Sequence, residues 1–308
     1  MTAITVCTDP PGSDAWLAER RNGIGASEMA VIFTDQDGAP INPFASPHQL
    51  WLEKTGRAEG FTGTYASRRG QHMESFVLAQ FAQENPSYIV ETPPDDLPSI
   101  LAHPDHPVVR CSLDALAHNK AESIVVEAKA ITRRQAHAWA DGQTPPYYEV
   151  QVQAQMLVTG LENARIVVDV AGEYEERFIP RNDAVCAHLR DTATEWWQRH
   201  LVEDVEPDWN PQAQIDQEAL KTAFQADPDL DPVVVPSDAA DALRDAAKAR
   251  AEAKVAFAVA AARMHDLMGE ATAAVDSTGA KVATWKAHDG YERKAVTVKP
   301  GRTFRVAL

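Results

Sequence analysis

Glu127 and Lys129, two positions apart in the run Ser123–Ala130, are the pair in this sequence best placed to do chemistry. Read as a strand, the run alternates: Ile124, Val126 and Ala128 fall on one face, Val125, Glu127 and Lys129 on the other. A carboxylate and an ammonium projecting from an apolar strand are costly unless paired with each other or with a cation. Asp114 lies near the end of a preceding strand, Val108–Leu116, joined to the first by the polar turn His118-Asn119-Lys120. If the two strands pair, Asp114 reaches the same spot. Two carboxylates and a lysine converging there suit a divalent cation with oxygen ligands and a lysine beside its water. The same residue types also make an ordinary solvated strand face, so the surrounding elements must decide.

Those elements read in order. Asp14-Ala15-Trp16-Leu17 starts a helix that leads through Gly23-Ile24-Gly25 to Ala26-Ser27-Glu28, a second helix N-terminus. Free amides there, with Ser27 and an upstream arginine, suit an anion such as phosphate; a glycine turn with a serine cap has the same appearance. Residues 44–60 read as a capped short helix stopping at Gly56. Further on, Met73, Phe76, Val77, Gln80 and Phe81 form a stripe of helical period, with Glu74 beside it. Glu74 is either a first-turn acid favoured by the helix dipole or a third carboxylate delivered toward the strands. Residues 85–107 read as a proline-rich loop. Pro145-Pro146 opens a helix whose Gln151, Gln153 and Gln155 stand among apolar residues, where an unpaired amide is penalised. A strand, ARIVVDVAG, and a helix around Val185, Leu189, Trp196 and Leu201 follow.

The chain of 308 residues, 44% hydrophobic and 24% charged, can bury one large core or two domains. No apolar run approaches the roughly 18 residues of a membrane span, no signal peptide is evident, and Cys7, Cys111 and Cys186 lack metal-ligand spacing; a reducing cytoplasm is expected. The net charge of −16 argues at first against nucleic acid, yet residues 281–308 hold seven Lys/Arg against two acids. That tail suits a surface that tracks DNA or binds a partner, and equally a plain solvated tail. The expected division is a core over 1–205, an acidic proline-rich linker over 206–240, and a helical, basic extension over 241–308.

Trp16…Arg20…Gly25-Ala26-Ser27-Glu28, Gly70…Glu74, HPDHPVVRCSLDAL, Glu127-Ala128-Lys129 and YYEVQVQAQMLVTG together resemble the YqaJ-type viral recombinase nucleases. These form the lambda-exonuclease-like branch of the PD-(D/E)XK nucleases, and the likeness covers about residues 14–204. One departure is Ser112-Leu113-Asp114-Ala115, where the family usually has Ser-Pro-Asp-Gly. The resemblance implies an α/β fold, a mixed central sheet flanked by helices with a restriction-endonuclease-like core. It implies metal-dependent 5′-to-3′ digestion of double-stranded DNA ends, releasing 5′-mononucleotides and leaving 3′ overhangs for a single-strand annealing protein. Asp114, Glu127 and the Ala128 carbonyl would hold Mg²⁺, with Mn²⁺ an expected substitute. Glu74 would orient water, Lys129 and Gln153 would assist the attack, and Arg20, Ser27 and Ser112 would hold a 5′-phosphate. A homo-oligomer, a ring of three, is also implied. Two alternatives remain open: an endonuclease or Cas4-like nuclease, the latter needing four cluster cysteines, and a noncatalytic DNA-end-binding module.

Overall fold

The computed structural model describes residues 3–34, 41–58, 65–210, 216–217, 219–220 and 231–285. The chain divides into two compact units, Met1–Gln225 and Ala226–Leu308. Six of the seven cations counted in the C-terminal tail, all but Lys281, lie outside the described residues.

The first unit is built on two sheets. The larger has five strands in the order β3 (Ile89–Glu91), β6 (Ala115–His118), β7 (Ser123–Ile131), β8 (Asn163–Val170) and β9 (Glu173–Pro180). β6 and β7 form the expected antiparallel hairpin, β7 and β8 run parallel, and β9 returns antiparallel. The smaller sheet has the order β1 (Ile4–Cys7), β4 (Ile100–Ala102), β5 (Val109–Cys111) and β2 (Ile24–Gly25). The fold is the expected mixed α/β class, with mixed sheets flanked by helices.

Alternation along β7 is realised. Ile124, Val126 and Ala128 pack under Val77, Leu78 and Phe81 of α4 (Tyr65–Glu84), while Val125 joins the core on the opposite face with Val152 and Met156 of α5 (Pro146–Thr159). Each such large apolar side chain contributes about 1.5–3 kcal/mol on full burial. The α4 stripe differs from the sequence reading at one position: Phe76 is exposed, and Val77, Leu78 and Phe81 carry the contact. Spacings of three and four place Glu74 in line with those three residues.

The run Val108–Leu116 is not one strand. β5 ends at Cys111, residues 112–114 cross from the smaller sheet to the larger, and β6 starts at Ala115. β9, whose EYEERFIP is half charged, and the short β3 and β4 inside the proline-rich stretch are not apparent in the sequence. His103 there is a loop organiser, with Nδ1 accepting from the amides of Asp105 and His106 at 3.2 Å.

α1 (Asp14–Arg20) and α2 (Ala26–Ile32) bracket β2, which lies parallel to β5. That approach requires glycine at position 23: a Cβ there would fall 2.5 Å from Arg110 Cδ and 2.6 Å from the Val108 carbonyl. α3 (Pro47–Lys54) is capped by Ser46 and packs against α2, and residues beyond α6 (Asp183–Trp197) reach it. Trp51 donates to the His200 carbonyl at 3.0 Å, His48 meets Glu206 at 2.9 Å, and Ser46 bonds Asp216. The second unit holds a 32-residue helix, α7 (Ser237–Met268), and a hairpin, β10 (Ala273–Val275) with β11 (Lys281–Thr284). Trp285 stacks on His265 with ring centroids 4.3 Å apart. No helix among the described residues is long and apolar enough to cross a membrane.

Candidate active site

Asp114, Glu127 and Lys129 converge as the strand spacing requires. Asp114 stands one step beyond the last β6–β7 pair, Ala115 with Val126, and its Oδ2 accepts from the Ala128 amide at 2.8 Å. Glu127 is 1% exposed and is surrounded by donors. Its Oε1 receives Lys129 Nζ and Gln151 Nε2, and its Oε2 receives Gln155 Nε2 at 2.7 Å. Gln155 also donates to the Ser112 carbonyl at 3.1 Å, tying α5 to the crossing segment. The Lys129 ammonium lies 5.5 Å from the centre of the Tyr148 ring, a further restraint on its position.

The assignment of Gln153 is corrected by this geometry. Its Nε2 donates to the Pro180 carbonyl at 2.8 Å and its Oε1 accepts from the Asn182 amide at 2.9 Å, so it fastens α5 to the end of β9 and the start of α6. A helix turns about 100° per residue, so positions 151 and 155 share a face and 153 points nearly opposite. Gln151 and Gln155 are the site residues that the sequence reading passed over, and their spacing of four was the available signal.

A cavity of about 260 Å³ gathers all the other side chains singled out from the sequence. Asp114, Glu127, Lys129 and Glu74 line its sheet end; Arg20, Ser27 and Ser112 line the rest. Ser27 and Ser112 are exposed to it through their positions at the start of α2 and on the crossing segment. The Gly25 amide, by contrast, is not free for an anion, because Glu28 Oε2 accepts from it at 2.8 Å.

Electrostatics at the sheet end are unbalanced. Burial pushes the Asp114 carboxyl up to about 8, with Glu127 and Glu74 adding repulsion against the pull of Lys129 and the Ala128 amide. Glu74 is likewise raised by burial and Glu127, opposed by Lys129. For Lys129, burial works against the charged form, but Glu127 and Asp114 outweigh it and hold the ammonium firmly protonated. Three acids, Glu127 buried and Asp114 and Glu74 partly so, therefore share one cation. Among the described residues no group of three or more His, Cys, Asp or Glu is disposed to hold a metal ion. Asp114, Glu127 and main-chain oxygen are hard donors of the kind a divalent cation takes, and both Glu127 oxygens accept hydrogen bonds from Lys129, Gln151 and Gln155. Cys111, buried beside them, has its thiol pushed up by burial and is inert.

Residues 15–162 match the YqaJ-like viral recombinase domain. The family likeness seen in the motifs holds over that span. An uncharacterized protein YqaJ of Bacillus subtilis (strain 168) is 27% identical over 193 residues, 61% of this chain and 56% of that protein. The uncharacterized protein R354 of Acanthamoeba polyphaga mimivirus is 24% identical over 193 residues, 58% of this chain and 33% of its own. The chain thus spans about half or less of the length of the curated relatives it matches. Among solved structures, an alkaline exonuclease (LHK-Exo) from Laribacter hongkongensis is similar in fold, with a TM-score of 0.51 at 20% identity over 62% of this chain and 94% of that one. The same exonuclease in complex with dAMP gives the same values.

Proposed function

We propose that this chain is a metal-dependent exonuclease that digests double-stranded DNA from 5′ ends, releasing 5′-mononucleotides and leaving 3′ overhangs. The observation that carries this reading is one shared cavity, with three carboxylates and a lysine at one end and an arginine with two serines at the other. The YqaJ-like domain and the fold shared with an alkaline exonuclease support it. Asp114, Glu127 and the Ala128 carbonyl would hold Mg²⁺, or Mn²⁺ in its place. The ion would neutralise the nonbridging phosphate oxygens and lower the pKa of the attacking water.

The chain's own residues do the rest. Gln151 and Gln155 each donate a hydrogen bond to Glu127 and fix its carboxyl group in place. Lys129, fixed by Glu127 and the Tyr148 ring, supplies a positive charge for the phosphoryl group as its charge grows. Glu74, raised by burial, is suited to accept a proton from water. Arg20 offers a guanidinium fork, and Ser27 and Ser112 hydroxyl donors, to a terminal phosphate dianion. A single-strand annealing protein would take the overhang, and a ring of three subunits would retain the duplex.

The test is digestion of linear duplexes bearing 5′-phosphate, 5′-hydroxyl or blocked ends, with magnesium and with EDTA. Magnesium-dependent release of mononucleotides, fastest from 5′-phosphate ends, is expected. Internal cutting of closed circles would instead support the endonuclease reading.

A further inference from the structure

We propose that Lys54 is a specificity-determining positioning residue: by neutralising Glu28, it leaves the Arg20 guanidinium available to a 5′-phosphate. This rests on the phosphate-holding role proposed above for Arg20. The Glu28 side chain is 12% exposed and meets Lys54 Nζ at 2.7 Å and Arg20 Nε at 3.3 Å. Lys54 is deeper, its side chain 3% exposed, and its ammonium also donates to the Arg20 carbonyl at 2.8 Å. An ammonium at that depth persists because a carboxylate holds it. Burial acts against the charge on both, and their attraction keeps Glu28 ionised below the ordinary carboxylate range.

Two cations thus flank Glu28, with Glu53 a second acid within reach of both, and Arg20 is the more exposed of the two cations. The Arg20 side chain is 42% exposed, and its guanidinium lies 5.3 Å from the Trp16 ring, which holds its plane at the cavity wall. Glu28 engages Arg20 only through Nε, and at a long distance, while its shorter bond goes to Lys54. Among the described residues neither terminal nitrogen of Arg20 is claimed by a carboxylate. Remove the lysine charge, and the buried carboxylate has Arg20 as its one cationic partner. The fork would then be drawn onto Glu28, and an incoming phosphate would have to compete with it.

The test is equilibrium binding of short duplexes with 5′-phosphate or 5′-hydroxyl ends, by fluorescence anisotropy in EDTA so that nothing is cut. The readout is the ratio of the two dissociation constants. Wild type should prefer the phosphate, and Lys54→Met should lower that preference about tenfold. The double variant Lys54→Met/Glu28→Gln should recover it, a result that a purely structural role for Lys54 does not give. An unchanged ratio in Lys54→Met, or a double variant as poor as the single one, overturns the proposal. If Lys54→Met does not fold, Glu28→Gln alone decides: it should keep or raise the preference, and a fall overturns the proposal. Wild-type binding indifferent to the 5′ group overturns the phosphate pocket itself, and the Lys54 role with it. Magnesium-dependent digestion of the same duplexes reads the nuclease activity separately.

Discussion

At the sheet end of the cavity, Asp114, Glu127 and Glu74 share one ammonium, Lys129, whereas at the α1–α2 end Glu28 is shared by two cations, Arg20 and Lys54. Burial acts on the acids of both regions, with opposite outcomes. Asp114 is pushed up to about 8, while Glu28 is held below its usual range because Lys54 and Arg20 together exceed the burial penalty. One end sets three carboxylates around one ammonium, and the other sets Glu28 between two cations. Ion pairs kept only for the fold would balance locally, because each uncompensated buried charge is destabilising. A phosphate-bearing ligand accompanied by a divalent cation complements both ends at once.

The sharpest way to break this contrast is at the sheet end. Glu127→Ala and Lys129→Ala should each lower magnesium-dependent cleavage by about a hundredfold or more while circular dichroism reports a folded chain. Glu127→Ala should also cost stability, since Lys129 and two amides lose their acceptor. Near wild-type cleavage by either protein would refute the assignment. The two faces of α5 give the next test. Gln151→Leu should slow cleavage roughly tenfold, whereas Gln153→Leu should leave the rate alone and lower stability to urea by about 1–3 kcal/mol. Equal loss of rate in both would mean that α5 acts as a rigid body and that neither amide has a separate role.

At the other end, Arg20→Ala should slow digestion of 5′-phosphate ends about tenfold and hardly affect 5′-hydroxyl ends, with the exposed neighbour Arg21→Ala as control. Loss on both kinds of end would assign Arg20 to general DNA binding. The smallest effect concerns acid. A carboxyl whose folded pKa is depressed stabilises above its ordinary pKa, and that stability is lost as pH falls through the folded value. Melting temperatures of Glu28→Gln should therefore decline less steeply than wild type between about pH 5 and pH 3. Parallel declines would show that Glu28 is not a source of acid sensitivity.

Much of the sheet end was legible because the strand period is 2 and admits one reading of Ser123–Ile131: Glu127 and Lys129 had to share a face, and Asp114 had to reach it. Helical period is harder to use when a helix is buried nearly all round. α5 buries Val150 through Thr159 except Gln151, which is half-buried, so its apolar pattern does not say which glutamine meets the carboxylate. Phe76 misled for a related reason, since an exposed aromatic on α4 has the same letter as a core one. β9 escaped notice because an edge strand can carry charge at half of its positions. The Lys54–Glu28 pair was also out of reach: a lysine on an ordinary amphipathic helix carries no mark of its burial until α3 packs on α2.

The crossing at residues 112–114 has a consequence of its own. Ser112 and Asp114 are two residues apart on a segment held from both sides, by the Gln155 bond to the Ser112 carbonyl and by the Ala128 bond to Asp114. Any sliding of one sheet past the other carries both residues along together. In a nuclease of the kind proposed, the grip on the chain end and the point of scission would sit on one short gauge, and the length of the fragment removed would be set by the backbone between two residues. Step size would then be a property of the fold, insensitive to DNA sequence and to temperature, and only an insertion or deletion within 112–114 would change the count.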